Sequence, residues 1–301
     1  MLAIIAPGQG AQMPGMLSPW LEDSNSAESI TRWSEVISKD LVALGTTADA
    51  DEIRDTANAQ PLIVATGLIA ANLLGVSAPV ISGHSVGEIT AAAVAKVISE
   101  FDAMRFVNDR ANAMAKAASL EKTGMSAVLG GDREEVLDAI LKLGLVAAND
   151  NGAGQIVAAG LISELSLFAD NPPAGARVRP LAVAGAFHTR YMASAQEVLA
   201  NSASTISPSD PTASIISNRD GFAVVDGEEV LERIISQVAS PVRWDLCMKS
   251  LQELGVTGVI ELAPAGTLVG LLKRAAPEIE TFAFKSPADL AAASEFAEKH
   301  K

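Results

Sequence analysis

Short apolar runs alternate with amphipathic stretches along most of the chain. The run "LAIIA" at 2–6 ends at Pro7 and predicts a central strand, and "PVIS" at 79–82 predicts another. Apolar spacing typical of helices occurs at 26–39, 61–74, 86–98 and 100–118. Strands separated by helices predict an α/β fold around a buried, doubly wound parallel sheet.

The order of the predicted elements changes near residue 121. The next elements are strand, helix, strand, strand, helix and strand, at 125–129, 132–143, 144–150, 154–160, 161–170 and 176–183. This order is the split βαβ, or ferredoxin-like, pattern. We therefore expect a small subdomain at 121–186, inserted into a larger one that is formed by 1–120 and 187–301.

The composition favours a large aliphatic core and a reducing environment. Hydrophobic residues make up 49% of the 301 residues and aromatic residues only 4%, so Ala, Leu, Val and Ile fill the core. Cys247 is the single cysteine, which excludes an internal disulfide and predicts a cytoplasmic location. A formal net charge of −14 argues against nucleic acid and anionic membranes as partners, because both bind basic surfaces.

Two apolar segments need a separate interpretation. The N-terminal "MLAIIAPGQG" lacks the basic region of a signal peptide. Residues 61–83 carry no charge and have the length of a membrane span. However, polar and turn-forming residues interrupt this segment at Asn72, Gly75, Ser77 and Pro79. We interpret it as a buried helix, a turn and a buried strand, and expect no membrane association.

The junction between the strand at 79–82 and the next helix carries Gly83-His84-Ser85-Val86-Gly87, which matches G-x-S-x-G. In that motif the glycines permit a tight turn that holds the serine hydroxyl above the sheet, at a helix N-terminus. The alternative is a glycine-bounded turn whose serine only caps the helix. The position between a predicted strand and a predicted helix favours a nucleophile at Ser85.

A serine nucleophile needs a general base, and the chain has three histidines. His84 adjoins the serine and is not expected to point the same way. His300 lies next to the C-terminus, where chains often fray. Elimination leaves His188, in "AGAFHTR" just after the predicted insertion, as the base rather than a structural histidine.

An oxyanion hole requires backbone N–H donors near the nucleophile. One is expected from Val86, the residue after the serine. The second is expected from the loop "PGQGAQ" at 7–12, because its glycines let backbone N–H groups approach a ligand. This loop matches a dinucleotide-binding fingerprint only weakly, since Met13 occupies the third glycine position.

Three motifs occur in order along the chain: "APGQGAQ" at 6–12, "GHSVGE" at 83–88 and "GAFHTR" at 185–190. Together they resemble the malonyl-CoA:acyl carrier protein transacylases and the acyltransferase domains of polyketide synthases. The resemblance runs from Ala3 to about Leu272. It implies an α/β-hydrolase-like large subdomain with an inserted ferredoxin-like small subdomain. It also implies malonyl-CoA and an acyl carrier protein as partners, and no metal or redox cofactor.

The resemblance assigns catalytic roles to individual residues. Ser85 would be acylated and His188 would be its base. The backbone of Gln9 would join that of Val86 in the oxyanion hole. The family has no triad aspartate, and a backbone carbonyl, here that of Gln237, would hold the histidine.

The resemblance also assigns an acyl pocket. Arg110 matches the arginine that binds the malonyl carboxylate, whereas its position on an amphipathic helix would by itself favour a solvated face. Met114 lies one turn further on and is expected to face the same pocket. Phe187 matches the phenylalanine of malonyl-selective members, and the positions that match other polar lining residues are Gln60, Asn149 and Asn151.

The predicted activity is transfer of a malonyl group from malonyl-CoA to the phosphopantetheine thiol of an acyl carrier protein. The transfer would pass through a malonyl-serine intermediate, in fatty acid or polyketide biosynthesis. Two alternatives stay open. A serine hydrolase would use the same nucleophile and base but transfer the acyl group to water. A carrier-binding module without activity would need neither Ser85 nor His188.

Overall fold

The computed structural model describes all 301 residues, which form eleven strands and twelve α-helices. The strands are β1 (Leu2–Ala6), β2 (Val80–Gly83), β3 (Thr123–Gly130), β4 (Val146–Asp150), β5 (Gln155–Leu161), β6 (Ala176–Pro180), β7 (Ser214–Ile216), β8 (Ala223–Val224), β9 (Val242–Arg243), β10 (Gly258–Glu261) and β11 (Glu280–Ala283). The helices are α1 (Ser24–Ile37), α2 (Leu41–Thr46), α3 (Thr56–Leu74), α4 (Gly87–Val94), α5 (Glu100–Ala118), α6 (Arg133–Lys142), α7 (Ile162–Asp170), α8 (Ala193–Ala203), α9 (Gly227–Gln237), α10 (Trp244–Glu253), α11 (Thr267–Ala275) and α12 (Leu290–Lys299).

The larger sheet has the order β11-β10-β1-β2-β7-β8. Its strands are parallel except β8, which is antiparallel to β7. Every residue of β1 and β2 is buried, so the prediction of central strands near 2–6 and 79–82 is confirmed. Because parallel strands end at the same edge, the segments that follow β1, β2 and β7 meet there.

The smaller sheet has the order β6-β3-β5-β4-β9. Strands β3 to β6 pair antiparallel, and α6 and α7 pack on them around a separate core that includes Val128, Ile156 and Phe168. The predicted fold class, a doubly wound sheet with a ferredoxin-like insertion, is confirmed. The division at 121 and 186 stays a prediction. Strand β9 comes from outside that range, yet it pairs with β4.

Helix α3 begins at Thr56 rather than at Pro61, where its start was predicted. The side chain of Asp55 caps it by accepting the N–H of Ala57 at 2.7 Å. Pro61 has no N–H for the carbonyl of Ala57, and Lys39 Nζ donates to that carbonyl instead, at 2.9 Å. The proline therefore lies inside the helix without leaving the carbonyl of Ala57 unpaired.

The same helix is long and apolar enough to cross a membrane, with a mean hydropathy of 1.3 over 18 residues. Yet 72% of that window is buried inside the protein. Gly75, with φ of 62°, ends the helix, and β2 follows. The interpretation of 61–83 as buried helix, turn and strand agrees with this arrangement.

The structure differs from two other predictions, one about where a helix ends and one about the C-terminus. Helix α4 stops at Val94 instead of 98, because Lys96 adopts a left-handed φ of 66°. His300 does not fray: it is 5% exposed and its Nδ1 lies 3.0 Å from the hydroxyl of Thr257. A Cβ at Gly258 would approach the His300 ring to 2.3 Å, so the glycine provides the space for it.

Candidate active site

A cavity of about 230 Å³ opens at the carboxyl edge of the larger sheet and is lined from both sheets. The predicted site residues that line it are Gln9, Gln60, Ser85, Val86, Arg110, Met114, Asn149, Asn151, Phe187 and His188. Gln237, predicted to act through its backbone carbonyl, lies behind His188 instead. The structure thus brings together all eleven residues from segments that are far apart in sequence.

The turn between β2 and α4 has the strained geometry that its glycines predict. Ser85 has a φ of 55°, which a residue with a side chain rarely adopts. A Cβ at Gly83 would lie 2.0 Å from the carbonyl carbon of Gly87, and one at Gly87 would lie 2.3 Å from the oxygen of Ala6. The N-cap residue of α4 is Val86, and Ser85 Oγ is hydrogen-bonded to His188 and Arg110 rather than to a helix N–H, so the alternative of a capping serine is wrong.

Ser85 and His188 form a hydrogen-bonded pair. Ser85 Oγ lies 2.8 Å from Nε2 of His188, and Nδ1 of His188 lies 2.9 Å from the carbonyl oxygen of Gln237. A carbonyl only accepts, so Nδ1 carries the proton and Nε2 presents a lone pair to the serine hydroxyl. This is the tautomer that a general base requires.

The surroundings of His188 keep it neutral. The side chain is buried at 4% exposure. Burial, with smaller contributions from the charges of Arg110 and His84, lowers the pKa of His188 to about 3, although its bond to Gln237 acts in the opposite direction. The imidazole is therefore in its basic form throughout the physiological pH range.

Arg110 is buried at 1% exposure, which contradicts the solvated helix face that its sequence position would favour. Its Nη1 donates to Gln60 Oε1 at 2.6 Å and its Nη2 lies 3.4 Å from Ser85 Oγ, while Nε has no partner. Burial lowers the pKa of Arg110 to about 10, partly offset by the charge of Glu88, so the guanidinium stays protonated. A buried cation whose hydrogen-bond partners are neutral suits an anionic ligand next to Ser85.

Among the cavity-lining backbone N–H groups that have no acceptor within the protein are the two that were predicted as oxyanion-hole donors. They belong to Gln9, in the loop after β1, and to Val86, which is 1% exposed. Gln9 is partly exposed, but Val86 is buried, and buried N–H groups without a partner are rare in folded proteins. Both residues line the cavity, so the pair can stabilise an oxygen that becomes negative during attack by Ser85.

Of the remaining polar residues of the cavity, three are linked by hydrogen bonds and one has an unpaired side-chain oxygen. His84 Nε2 lies 2.9 Å from Asn151 Oδ1, so His84 is directed away from the nucleophile, as expected. Asn151 in turn donates to Gln155 at 3.3 Å. Asn149 Oδ1 is buried without a partner. No group of three or more His, Cys, Asp or Glu side chains is arranged to hold a metal ion.

Sequence reasoning assigned no role to two parts of this site. Asn218 and Glu88 lie directly behind the turn at Ser85. Helix α11 contributes Thr267, Leu268 and Leu271 to the cavity wall. The available signal was their position, since Asn218 follows β7 and α11 follows β10, at the edge where the parallel strands end.

Comparison with known proteins finds relatives in both sequence and structure. The protein family described as "Acyl transferase domain" matches residues 4–291. A malonyl CoA-acyl carrier protein transacylase of Mycobacterium tuberculosis is 51% identical over 296 residues, covering 96% of this chain and 98% of that protein. The crystal structure of MCAT from Mycobacterium tuberculosis superimposes with a TM-score of 0.95 at 50% identity, covering 97% of this chain and 99% of that one. A malonyl-transacylase in complex with its type II polyketide synthase acyl-carrier protein gives a TM-score of 0.93 at 28% identity, covering 98% and 99%.

Proposed function

Because the chain belongs to the malonyl CoA-acyl carrier protein transacylases, within the acyl transferase domain family, we propose that it transfers malonyl from malonyl-CoA to the phosphopantetheine thiol of an acyl carrier protein. The product would serve fatty acid or polyketide biosynthesis. The observation that carries the proposal is the buried guanidinium of Arg110, 3.4 Å from the hydroxyl of Ser85. It supports an acyl group that ends in a carboxylate.

In the first half-reaction, Ser85 Oγ attacks the thioester carbonyl of malonyl-CoA while Nε2 of His188 takes its proton. The carbonyl oxygen becomes an oxyanion that accepts hydrogen bonds from the N–H groups of Gln9 and Val86. The C–S bond then breaks, the CoA sulfur takes the proton from His188, and CoA leaves as a thiol. Malonyl stays on Ser85 as an ester, with its carboxylate against Arg110.

In the second half-reaction, the phosphopantetheine thiol enters where CoA left. His188 removes the thiol proton, the thiolate attacks the ester carbonyl, and the same two N–H groups stabilise the oxyanion. The ester bond to Ser85 Oγ then breaks, and Oγ takes back the proton from His188. The malonyl thioester is formed on the carrier protein and the free enzyme is restored.

The activity is tested by intact-mass spectrometry. Incubation with malonyl-CoA is expected to add one malonyl group, which a carrier protein bearing phosphopantetheine then removes. Rapid turnover of malonyl-CoA without carrier would indicate a hydrolase. Absence of any adduct would indicate a module without activity.

Replacing Arg110 is expected to change selectivity more than overall activity. Arg110→Ala should weaken binding of the malonyl transition state by about 2–4 kcal/mol, because a buried charge-assisted pair loses one partner. This loss is measured as a fall in kcat/KM for malonyl-CoA. Acetyl-CoA carries no carboxylate, so its kcat/KM should fall far less, or rise. Both values are measured with the same carrier protein.

A matched control for Arg110 is Arg105→Ala, on the same helix but with a side chain that is 63% exposed. It should leave both substrates unchanged. Equal losses on malonyl-CoA and acetyl-CoA in Arg110→Ala would show that this arginine is structural.

Formation of the malonyl adduct is expected to keep its rate as the pH falls from about 8 to about 5. The pKa of His188 is about 3, so the base stays unprotonated where an ordinary histidine, with a pKa of 6.5, would become charged. The unfolded chain binds this proton near pH 6.5, so stability decreases below that pH, and circular dichroism must show that the fold persists.

Glu88 provides the control for this pH profile, because burial raises its pKa to about 7. An inflection near pH 7 that disappears in Glu88→Gln belongs to that carboxyl. An inflection near 6.5 that remains in Glu88→Gln would contradict a depressed pKa at His188.

Docking of the carrier protein is expected to use cations near the mouth of the cavity. Acyl carrier proteins are usually acidic and this chain carries −14, so encounter needs a local basic patch. Arg177 and Arg179 are exposed on β6, just before cavity-lining Leu181. Lys273 and Arg274 are exposed in the last turn of α11, whose first turn lines the cavity. Arg190, the other candidate, stacks on Tyr191 at 4.9 Å.

The test reverses Lys273 and Arg274 together to Glu. The KM for carrier protein should rise several-fold and transfer from a small malonyl thioester should stay unchanged. Wild-type transfer to carrier should slow with salt, since screening acts within about 10 Å at 0.1 M. Lys249→Glu is the control, on a lysine already paired with Glu253. Indifference to salt and to reversal of each cluster would contradict electrostatic docking.

We also propose a cytoplasmic location with no nucleic-acid or membrane partner. The net charge of −14 and the absence of a second cysteine support it. Fractionation of the producing cell tests this, and recovery in the membrane fraction would contradict it.

A further inference from the structure

Asn218 lies two residues beyond the end of β7 and is completely buried, at 0% exposure. It forms three hydrogen bonds around the turn that carries Ser85. Its Oδ1 accepts the N–H of Ser85 at 2.7 Å, and its Nδ2 donates to the carbonyl of Gly83 at 2.7 Å. Its own backbone N–H donates to Oε1 of Glu88 at 2.8 Å. One side chain therefore binds both sides of the nucleophile turn.

These hydrogen bonds stabilise the strained backbone conformation of Ser85. The left-handed φ of 55° is sparsely populated for a residue with a side chain, so the surroundings must hold it. The N–H of Ser85 would also be unpaired without Asn218. The orientation of the Ser85 N–H determines the direction of the following peptide group, between Ser85 and Val86. That peptide group carries the free N–H of Val86. A shift of the turn would misplace the hydroxyl and an oxyanion donor together.

The groups around position 218 require both a hydrogen-bond donor and an acceptor from the side chain. The N–H of Ser85 needs an acceptor and the carbonyl of Gly83 needs a donor, and a single amide side chain supplies both. A carboxylate would supply two acceptors, one of them facing the carbonyl of Gly83. Glu88, in the first turn of α4, ties the backbone of Asn218 to the helix that begins at the turn.

We propose that Asn218 is a positioning residue that holds Ser85 and the N–H of Val86 in their reactive geometry. The role rests on the proposed acyl transfer, since it serves the same serine. It acts through the backbone of the turn, without contact to the acyl group. Loss of Asn218 should therefore slow the chemical step and leave binding of malonyl-CoA unaffected.

The test is single-turnover malonylation followed by rapid quench and intact mass, which separates the rate constant from the final extent of labelling. Asn218→Ala should lower the rate constant by about 10²-fold, the effect of a displacement near 1 Å in an active site. The concentration of malonyl-CoA at half-maximal rate should stay within about 3-fold, because the binding residues remain. The final labelling should still approach one malonyl per chain.

The matched control is Ser82→Ala, which removes another buried hydrogen bond between β2 and β7, from Ser82 Oγ to the carbonyl of Ile216 at 2.9 Å. It should keep the wild-type rate constant. The proposal is overturned if Asn218→Ala keeps the wild-type rate constant, if Ser82→Ala is equally slow, or if the loss appears only as incomplete labelling. Should Asn218→Ala fail to fold, Asn218→Asp replaces the donor with an acceptor at similar volume, and the same slowing is expected.

A second reagent separates this proposal from the proposed function. A fluorophosphonate labels an activated serine without malonyl recognition, by forming an Oγ–P bond with loss of fluoride. If the wild type reacts with this probe but not with malonyl-CoA, the proposed acyl donor is wrong. The ratio of probe rates between Asn218→Ala and wild type then still decides the role of Asn218, with the same expected fall.

Discussion

Ser85→Ala is expected to abolish the malonyl adduct and to leave the fold intact. Ser85 Oγ is the hydroxyl that lies 2.8 Å from the basic nitrogen of His188, in a cavity beside two free N–H groups. Removing a nucleophile that acts together with its base lowers kcat by roughly 10⁶-fold in comparable enzymes. Intact mass after incubation with malonyl-CoA measures the loss.

Ser82→Ala is again the appropriate comparison, since it removes a buried hydroxyl three residues before Ser85, on the strand β2 that leads into the turn. That variant should acquire one malonyl group as the wild type does. Equal thermal unfolding of both variants would show that the effect of Ser85→Ala is chemical. A malonyl adduct on the Ser85→Ala protein would mean that another residue is the nucleophile.

His188→Ala should slow both half-reactions by several orders of magnitude. Nε2 of His188 is the only nitrogen near Ser85 Oγ that can accept a proton, since the other neighbour, Nη2 of Arg110, only donates. The same imidazole must also remove the proton of the incoming thiol. Acylation is followed from malonyl-CoA, and deacylation from the slowly formed malonyl-enzyme after carrier is added.

His84 is the informative comparison, because it is the other histidine in the cavity. Its Nε2 is bonded to Asn151 and its ring lies edge-on to Trp244, at 5.6 Å. His84→Ala should therefore lose far less activity than His188→Ala. Equal losses would contradict the assignment of the base by elimination.

Much of the nucleophile region could be predicted from neighbouring residues alone. Gly83 is required because a Cβ there would meet the backbone of Gly87, which is a local steric constraint, whereas Gly87 is required because a Cβ there would meet the carbonyl of Ala6 on the neighbouring strand β1. Periodicity likewise located the strands that carry the turn and the ferredoxin-like insertion. Where local signals competed, the boundaries were wrong, as at Pro61, whose lost hydrogen bond is replaced by distant Lys39.

Other features depend on residues that only the folded chain brings together. The charge of Arg110 and its place on a helix are written in the sequence, yet its burial follows from the packing of α3 against α5. Resemblance to a family, and not periodicity, pointed to the pocket. The roles of the Gln237 carbonyl and of Asn218 could not be seen locally, because any residue has a carbonyl and an isolated asparagine in a turn is common.

The sequence by itself determined the strand-turn-helix around Ser85, the helical and strand periods and, through three spaced motifs, the family. The tertiary structure decided which histidine reaches the serine, that His300 is buried, and that Asn218 holds the turn. The physical reason is the range of the interactions. Steric limits on a turn act between adjacent residues, whereas burial and hydrogen-bond partners are set by the order of β1, β2 and β7 in the sheet, which places residues 9, 85 and 218 at one edge.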